Sequence, residues 1–148
     1  MKLVDTNVLI GAFRPDSQHH RTLATWLEDA VRSSEPLGVS EAVLAGYIRI
    51  VTQRRIFVDP TPISVALEQM QRLRDEPGVQ VVRPGPSFWT IFTSLCAAVE
   101  AQGNLVSDAA HAALAIEHRA TFVTLDRDFA RFPDLRWESP LATGQAPS

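Results

Sequence analysis

The chain has 148 residues, 45% of them hydrophobic and 21% charged, with 14 basic against 17 acidic side chains and a net charge of -3. That length suits one domain able to bury a full core, and the composition excludes a disordered or fibrous chain. The single cysteine, Cys96, excludes an intrachain disulfide or a Cys-rich zinc site; no apolar run is long enough to span a membrane, and a strand pattern beginning at Lys2 without an apolar leader predicts a cytoplasmic protein.

Leu3-Val4 reads as a short buried strand, followed by an apolar helix from Asn7 to Phe13 that Asp5 or Thr6 can cap. Arg14 to Ser17 is a loop. From His19 to Arg32, Leu23, Trp26, Leu27 and Val31 recur at helical spacing. Leu37 to Val39 is a strand, and Ser40 caps a helix from Glu41 to about Thr52 with Val43, Leu44, Tyr47, Ile48 and Val51 as its apolar stripe. Thr61-Pro62 opens the next helix, which Asp75-Glu76-Pro77-Gly78 ends. Val79 to Val82 is a strand, and Ser87 to Gln102 a helix closed by Gly103, with Cys96 in its apolar core face. Ser107 caps a helix from Asp108 to Arg119, Thr121 to Leu125 is a strand, Asp128 to Phe132 a helical turn, and Leu135 to Trp137 a last strand. Residues 1–140 form one domain, and 141–148 read as a disordered tail. Strands alternating with helices predict an α/β fold, a mainly parallel sheet between two helical layers.

Five carboxylates stand out against this pattern. Asp5, Glu41, Asp108, Asp126 and Asp128 each follow an apolar run at a turn or helix start. If those runs are parallel strands, the acids emerge at the carboxyl edge of one sheet, where open α/β folds place their ligands. Each has a bland explanation: Asp5 as a cap, Glu41 and Asp108 in first helical turns that favour negative charge, Asp126 and Asp128 in a solvated turn. Together they point to a site, because clustered carboxylates repel unless a cation joins them and hard oxygen donors suit Mg²⁺ or Mn²⁺. Thr6, Asn7, Ser107 and Thr124 stand beside them as short polar groups able to orient ligands or water. With these five acids set aside, 14 basic residues face 12 acidic ones, a balance of +2, and thirteen of the basic residues are arginine. The charge neither requires nor forbids a nucleic-acid partner.

Four segments carry a resemblance. Leu-Val-Asp-Thr-Asn-Val-Leu-Ile at residues 3–10, Ser-Glu-Ala-Val-Leu at 40–44, and Leu-Val-Ser-Asp-Ala-Ala-His with Thr-Phe-Val-Thr-Leu-Asp-Arg-Asp-Phe from 105 onward are similar to the PIN domain. Within that family the chain resembles the VapC-like ribonuclease toxins of bacterial toxin–antitoxin pairs, over nearly its whole length. The resemblance implies a nuclease using Mg²⁺ or Mn²⁺ held by Asp5, Glu41, Asp108 and Asp126, with Asp128 as an accessory acid. It implies water attack on an RNA phosphodiester, tRNA or rRNA among the substrates, leaving 5′-phosphate and 3′-hydroxyl ends and inhibiting translation and growth. It also implies a cognate VapB-like antitoxin, whose arginine reaches the acids and whose remaining segment lies on the second and third helices around Trp26, Leu27, Val43 and Tyr47. A homodimer is expected, with Trp89 and Phe92 as a candidate face. No family pattern covers Arg54 to Gly103, so substrate choice is expected there and in the loop Arg14 to His20.

Rival chemistries are weaker. His19, His20, His111 and His118 offer acid–base groups, but His111 reads best as a helix-surface residue and His118 as a complement to a helix C-terminus. A catalytically silent RNA-binding or antitoxin-binding module has no reason to keep every acid. A phosphoacceptor domain of the response-regulator kind needs a late lysine, and the only lysine is Lys2.

Overall fold

The structure is a computed structural model describing residues 1–141. Five short strands, β1 (Lys2–Val4), β2 (Leu37–Val39), β3 (Val79–Val81), β4 (Thr121–Val123) and β5 (Trp137–Glu138), form one sheet in the order β3-β2-β1-β4-β5. All four pairings are parallel. The helices are α1 (Thr6–Phe13), α2 (His20–Arg32), α3 (Glu41–Val51), α4 (Ile63–Asp75), α5 (Phe88–Val99) and α6 (Asn104–Glu117), with a 3₁₀ turn at Arg127–Arg131.

Strand alternation creates the three layers. Val4, Val39 and Val123 turn to the side carrying α1, α2, α3 and α4, where they meet Val8, Leu9, Leu23, Val43, Tyr47 and Met70. Their neighbours Leu3 and Phe122 turn to the other side and pack with Leu95, Ala109, Ala112, Ala113, Phe129 and Phe132. A period of two on a sheet covered by helices on both faces produces this partition. The expected α/β sandwich is the observed one. Its strand order differs from the flavodoxin-like order of response regulators, and Lys2 pairs with Glu138 at 2.6 Å, at the end of β1 away from Asp5. Both observations remove the phosphoacceptor alternative.

β1 is the point where the chain reverses its spread across the sheet, passing to β2 on one side and β4 on the other. Such a switch point opens a crevice at the carboxyl ends of the strands. Asp5 leaves β1 there, with its backbone N–H donating to Val123 O at 2.9 Å.

Several boundaries depart from expectation. Helix α5 ends at Val99, with Glu100 in the left-handed region as its cap, so Gly103 (φ +57°) precedes α6 instead of closing α5. Helix α6 therefore starts at Asn104, Ser107 caps nothing, and Asp108 lies in the second helical turn. Pro62 is itself the N-cap of α4, which begins at Ile63, so Thr61 is not its cap. The last strand starts at Trp137, two residues late. Arg14, placed in a loop expected to contact substrate, is buried: its guanidinium donates to Asp16 at 2.7 and 3.0 Å, Thr61 Oγ1 at 2.9 Å and Asp59 O at 2.9 Å, and lies over the Phe57 ring. Leu141 belongs to the core, and the rest of the expected tail lies outside the described residues.

Candidate active site

The site is built around Asp5. Its Oδ1 accepts from Thr6 N at 2.7 Å, which caps α1, and its Oδ2 accepts from Thr124 Oγ1 at 2.7 Å. The Thr124 hydroxyl accepts in turn from Asn7 Nδ2 at 3.2 Å and from Asp126 N at 3.0 Å. One donor and two acceptor positions are thereby filled, which is all a hydroxyl offers. Asn7 Oδ1 accepts from Leu125 N at 3.2 Å, and Asp126 Oδ1 accepts from Asp128 N at 2.9 Å. These bonds lock the end of β1 to the turn after β4. Thr6, expected to orient a carboxylate through its side chain, directs its hydroxyl to Val43 O instead, at a long 3.5 Å.

Asp108 reaches the same region from the second turn of α6. Burial pushes its carboxyl up to about 6, reinforced by the charges of Asp126, Asp5 and Asp128 and opposed by Arg131. Burial also raises Asp5, against the bond from Thr124, the nearby His111 and the bond from Thr6, with Asp126 raising it further. Four of the five acids thus share one field. Carboxylates raised by one another lose repulsion when a divalent cation joins them, and an all-oxygen donor set suits Mg²⁺ or Mn²⁺. The donor chemistry fits such an ion, although among the described residues no three His, Cys, Asp or Glu side chains are grouped as a ready ligand set.

Glu41 stands apart. Ser40 Oγ accepts from Val43 N at 3.0 Å and starts α3 as expected, placing Glu41 in the first turn just beyond β2. Its exposed carboxylate is held by two arginines: Arg83 Nε donates to Oε1 at 3.2 Å, and Arg74 Nη2 lies 3.8 Å from Oε2. Sequence reasoning missed both cations. Arg74 is on α4 and Arg83 follows β3, so only the sheet order brings them to Glu41.

Three more residues differ from expectation. His111 is not a surface histidine: burial lowers its pKa, the Asp5 charge opposes that shift, and its ring stacks on Phe122 at 6.1 Å. Its spacing from Asp108, one helical turn, was the available signal. Ser107 is exposed and makes no bond to an acid, but lines a neighbouring cavity. Cys96 is only partly buried.

That cavity, about 440 Å³, opens between α3, α6 and the β3–α5 loop. Small residues make the space, Ala42, Ala45 and Gly46 on α3 and Ala110 on α6, while Glu41, Arg49, Arg83, Phe88, Ser107 and His111 surround it. At the other end of α1, where Ala12 and Phe13 lie, a groove of about 600 Å³ runs between α2 and α4, lined by Phe13, Ala24, Leu27, Val31 and Leu73 with Glu28, Arg32 and Arg72 at hand.

Comparison with known proteins places the chain in a family. The PIN domain family matches residues 2–135. Ribonuclease VapC43 of Mycobacterium tuberculosis is 43% identical over 141 residues, covering 95% of this chain and 96% of that protein. Ribonuclease VapC25 of the same species is 37% identical over 140 residues, covering 95% and 99%. Among solved structures, VapBC2 of Rickettsia felis bound to a promoter DNA fragment superimposes with a TM-score of 0.71 at 20% identity, over 93% of this chain and 97% of that one. VapBC-1 of Haemophilus influenzae gives 0.69 at 18% identity over 94% and 97%; at such identity the likeness is one of fold. With the family matched over residues 2–135 and relatives 43% and 37% identical over 95% of its length, the chain belongs to the PIN-domain family and, within it, to the VapC ribonucleases.

Proposed function

We propose that the protein is a divalent-metal-dependent endoribonuclease acting as the toxin of a toxin–antitoxin pair in the cytoplasm. The observation that carries the chemistry is the convergence of Asp5, Asp108 and Asp126, with Asp128 beside them, on the turn that Thr124 fastens to Asp5; burial first, and then the neighbouring acids, push the Asp108 carboxyl up to about 6. Asp5, Asp108 and Asp126 are the central ligands in this reading, Asp128 is accessory, and Glu41 joins when its arginines release it. A bound Mg²⁺ or Mn²⁺ supplies Lewis acidity, activating water and neutralising charge on the leaving oxygen. The protein's own part is positioning: Thr124 and Thr6 N–H fix both Asp5 oxygens, and Asn7 fixes Thr124. Cleavage of RNA would leave 5′-phosphate and 3′-hydroxyl ends. Purified protein should cleave total RNA with Mn²⁺ and stop in excess EDTA. Undiminished cleavage in chelator would sink the metal mechanism, and an RNA left intact with Mn²⁺ would return the chain to a silent binding module.

A toxin needs restraint, and the names of the structural neighbours, VapBC complexes, favour a VapB-like antitoxin. Its expected seat on α2 and α3 needs correction, because Val43 and Tyr47 are fully buried. The groove between α2 and α4, with Leu27 and Val31 on its wall and charged residues of both signs at its edge, is the surface left for an amphipathic segment. Self-association is assigned to α5, whose Trp89 is 67% exposed against Phe92; light scattering after gel filtration reads the outcome directly.

A further inference from the structure

We infer that the 440 Å³ cavity beside the acids is a subsite for one unpaired nucleotide of the RNA substrate, with Arg49 and Arg83 on its phosphate and Phe88 against its base. This rests on the ribonuclease reading and names where the enzyme holds its substrate. The volume falls among the roughly 300–1,000 Å³ pockets that take small-molecule-sized groups. Arg49 makes no ion pair among the described residues and is exposed on the α3 face of the cavity. Phe88 is held by a parallel stack on Phe92, 5.8 Å between centroids and 6° between planes. The cavity wall that carries Arg83 and Phe88 is fixed in place, since Glu117 accepts from Gly85 N at 2.7 Å and from Ser87 N at 2.9 Å. Two cations and an aromatic ring around a concave space match the phosphate and base of a single strand, and a base paired within a helix could not enter. Ser107 and His111 form the border with the acids, so a nucleotide here puts its neighbouring phosphodiester beside Asp5 and Asp108.

Arg83 gives the subsite a second role. Its guanidinium occupies Glu41 Oε1 at 3.2 Å. A phosphate, with its bidentate match to guanidinium, competes for the same donors. Arriving RNA therefore competes with Glu41 for Arg83 and loosens one of the two arginine contacts on that carboxylate, leaving the one to Arg74.

The test measures binding of a fluorescein-labelled, mixed-sequence ten-nucleotide single-stranded RNA by anisotropy, in excess EDTA and across a range of KCl concentrations. Arg49→Ala and Arg83→Ala should each weaken binding about tenfold and flatten the log–log salt slope by about 0.7, the loss of one phosphate contact on a single strand. Phe88→Ala should weaken binding about fivefold or more while Phe88→Tyr retains it, as expected of base stacking. Arg119→Gln, at the far end of α6, should match wild type. Glu41→Gln should tighten binding when Arg83 is present and by less than twofold in the Arg83→Ala background; a simple loss of repulsion would tighten both equally. Thermal melts check that each variant folds, with Arg83→Gln replacing the alanine variant if that one does not. Unchanged affinity and slope in these variants, from a wild type that cleaves total RNA with Mn²⁺, overturn the subsite and leave the ribonuclease reading intact. A wild type that neither binds this RNA nor cleaves total RNA overturns both.

Discussion

At the scale of single residues, the site is organised by one hydroxyl. Thr124 is fully buried and bonds simultaneously to Asp5, Asn7 and the Asp126 backbone. Thr124→Val keeps the shape and removes every one of those bonds. It should destabilise the fold by about 1–3 kcal/mol, the cost of leaving buried polar groups unpaired, and lower RNA cleavage roughly 10–100-fold, as loss of a ligand-orienting group does. Chemical denaturation and initial rates at saturating Mn²⁺ separate the two effects; unaltered cleavage would show that Asp5 is oriented without it. Asp108 makes the opposite kind of contribution. Its folded-state pKa, about 6, lies above the ordinary value of 3.8, so the folded state favours the protonated form. That stabilisation is complete below about pH 3.8 and is lost as pH rises through about 6. The metal-free protein should therefore lose melting temperature across that window relative to Asp108→Asn, which lacks the titration, while the variant loses activity. Parallel pH curves for the two proteins would refute a carboxyl raised by burial and its acidic neighbours.

At the scale of elements, the segment between α3 and α4 is fastened to the end of α1 by Arg14. Its planar guanidinium meets Asp16, Thr61 and Asp59 while lying over Phe57. A lysine cannot reproduce that fork or stack. Arg14→Lys should cost about 1–3 kcal/mol in denaturant melts through unmet buried bonds, with RNA binding unchanged, because the side chain is only 8% exposed and faces protein. A loss of RNA affinity without loss of stability would restore Arg14 to the substrate-contacting role its loop suggested. The same scale explains the errors in α5 and α6. Gly103 fits a helix C-cap in sequence, yet a left-handed Glu100 stops α5 first, and glycine then serves the turn into α6. The consequence for the site is a shift of Asp108 from the first helical turn to the second, where side-chain direction rather than the helix dipole brings it to Asp5.

At the scale of the whole molecule, the cavity beside the acids and the groove proposed for the antitoxin share no lining residue, so catalysis and restraint should separate. Ala24→Arg places bulk and charge in the groove between α2 and α4, whose lining contains none of the five site acids. Its expression should arrest growth as wild type does, while co-expression of the cognate VapB-like antitoxin should no longer relieve the arrest. Relief as complete as for wild type would remove the groove from the interface. The sequence alone determined the alternation of strands and helices, hence the layers, because a period of two beside a period of 3.6 leaves few ways to bury both apolar faces. It also determined that Asp5, Asp126 and Asp128 belong together, since each follows a strand and parallel strands expose the same edge. What only the tertiary structure decided are relations across the sheet and between layers. Arg74 and Arg83 are distant from Glu41 in sequence and meet it through the pairing of β2 with β3. Val43 and Tyr47 lie on an apolar stripe that the family resemblance offered to an antitoxin, but the stripe faces the core, because periodicity reports that a face is covered and not what covers it. His111 reads as a surface residue until Phe122 and Asp5 surround it. Side-chain charge acts over several ångströms and burial depends on every neighbouring element, so these contacts exist only once the chain has folded.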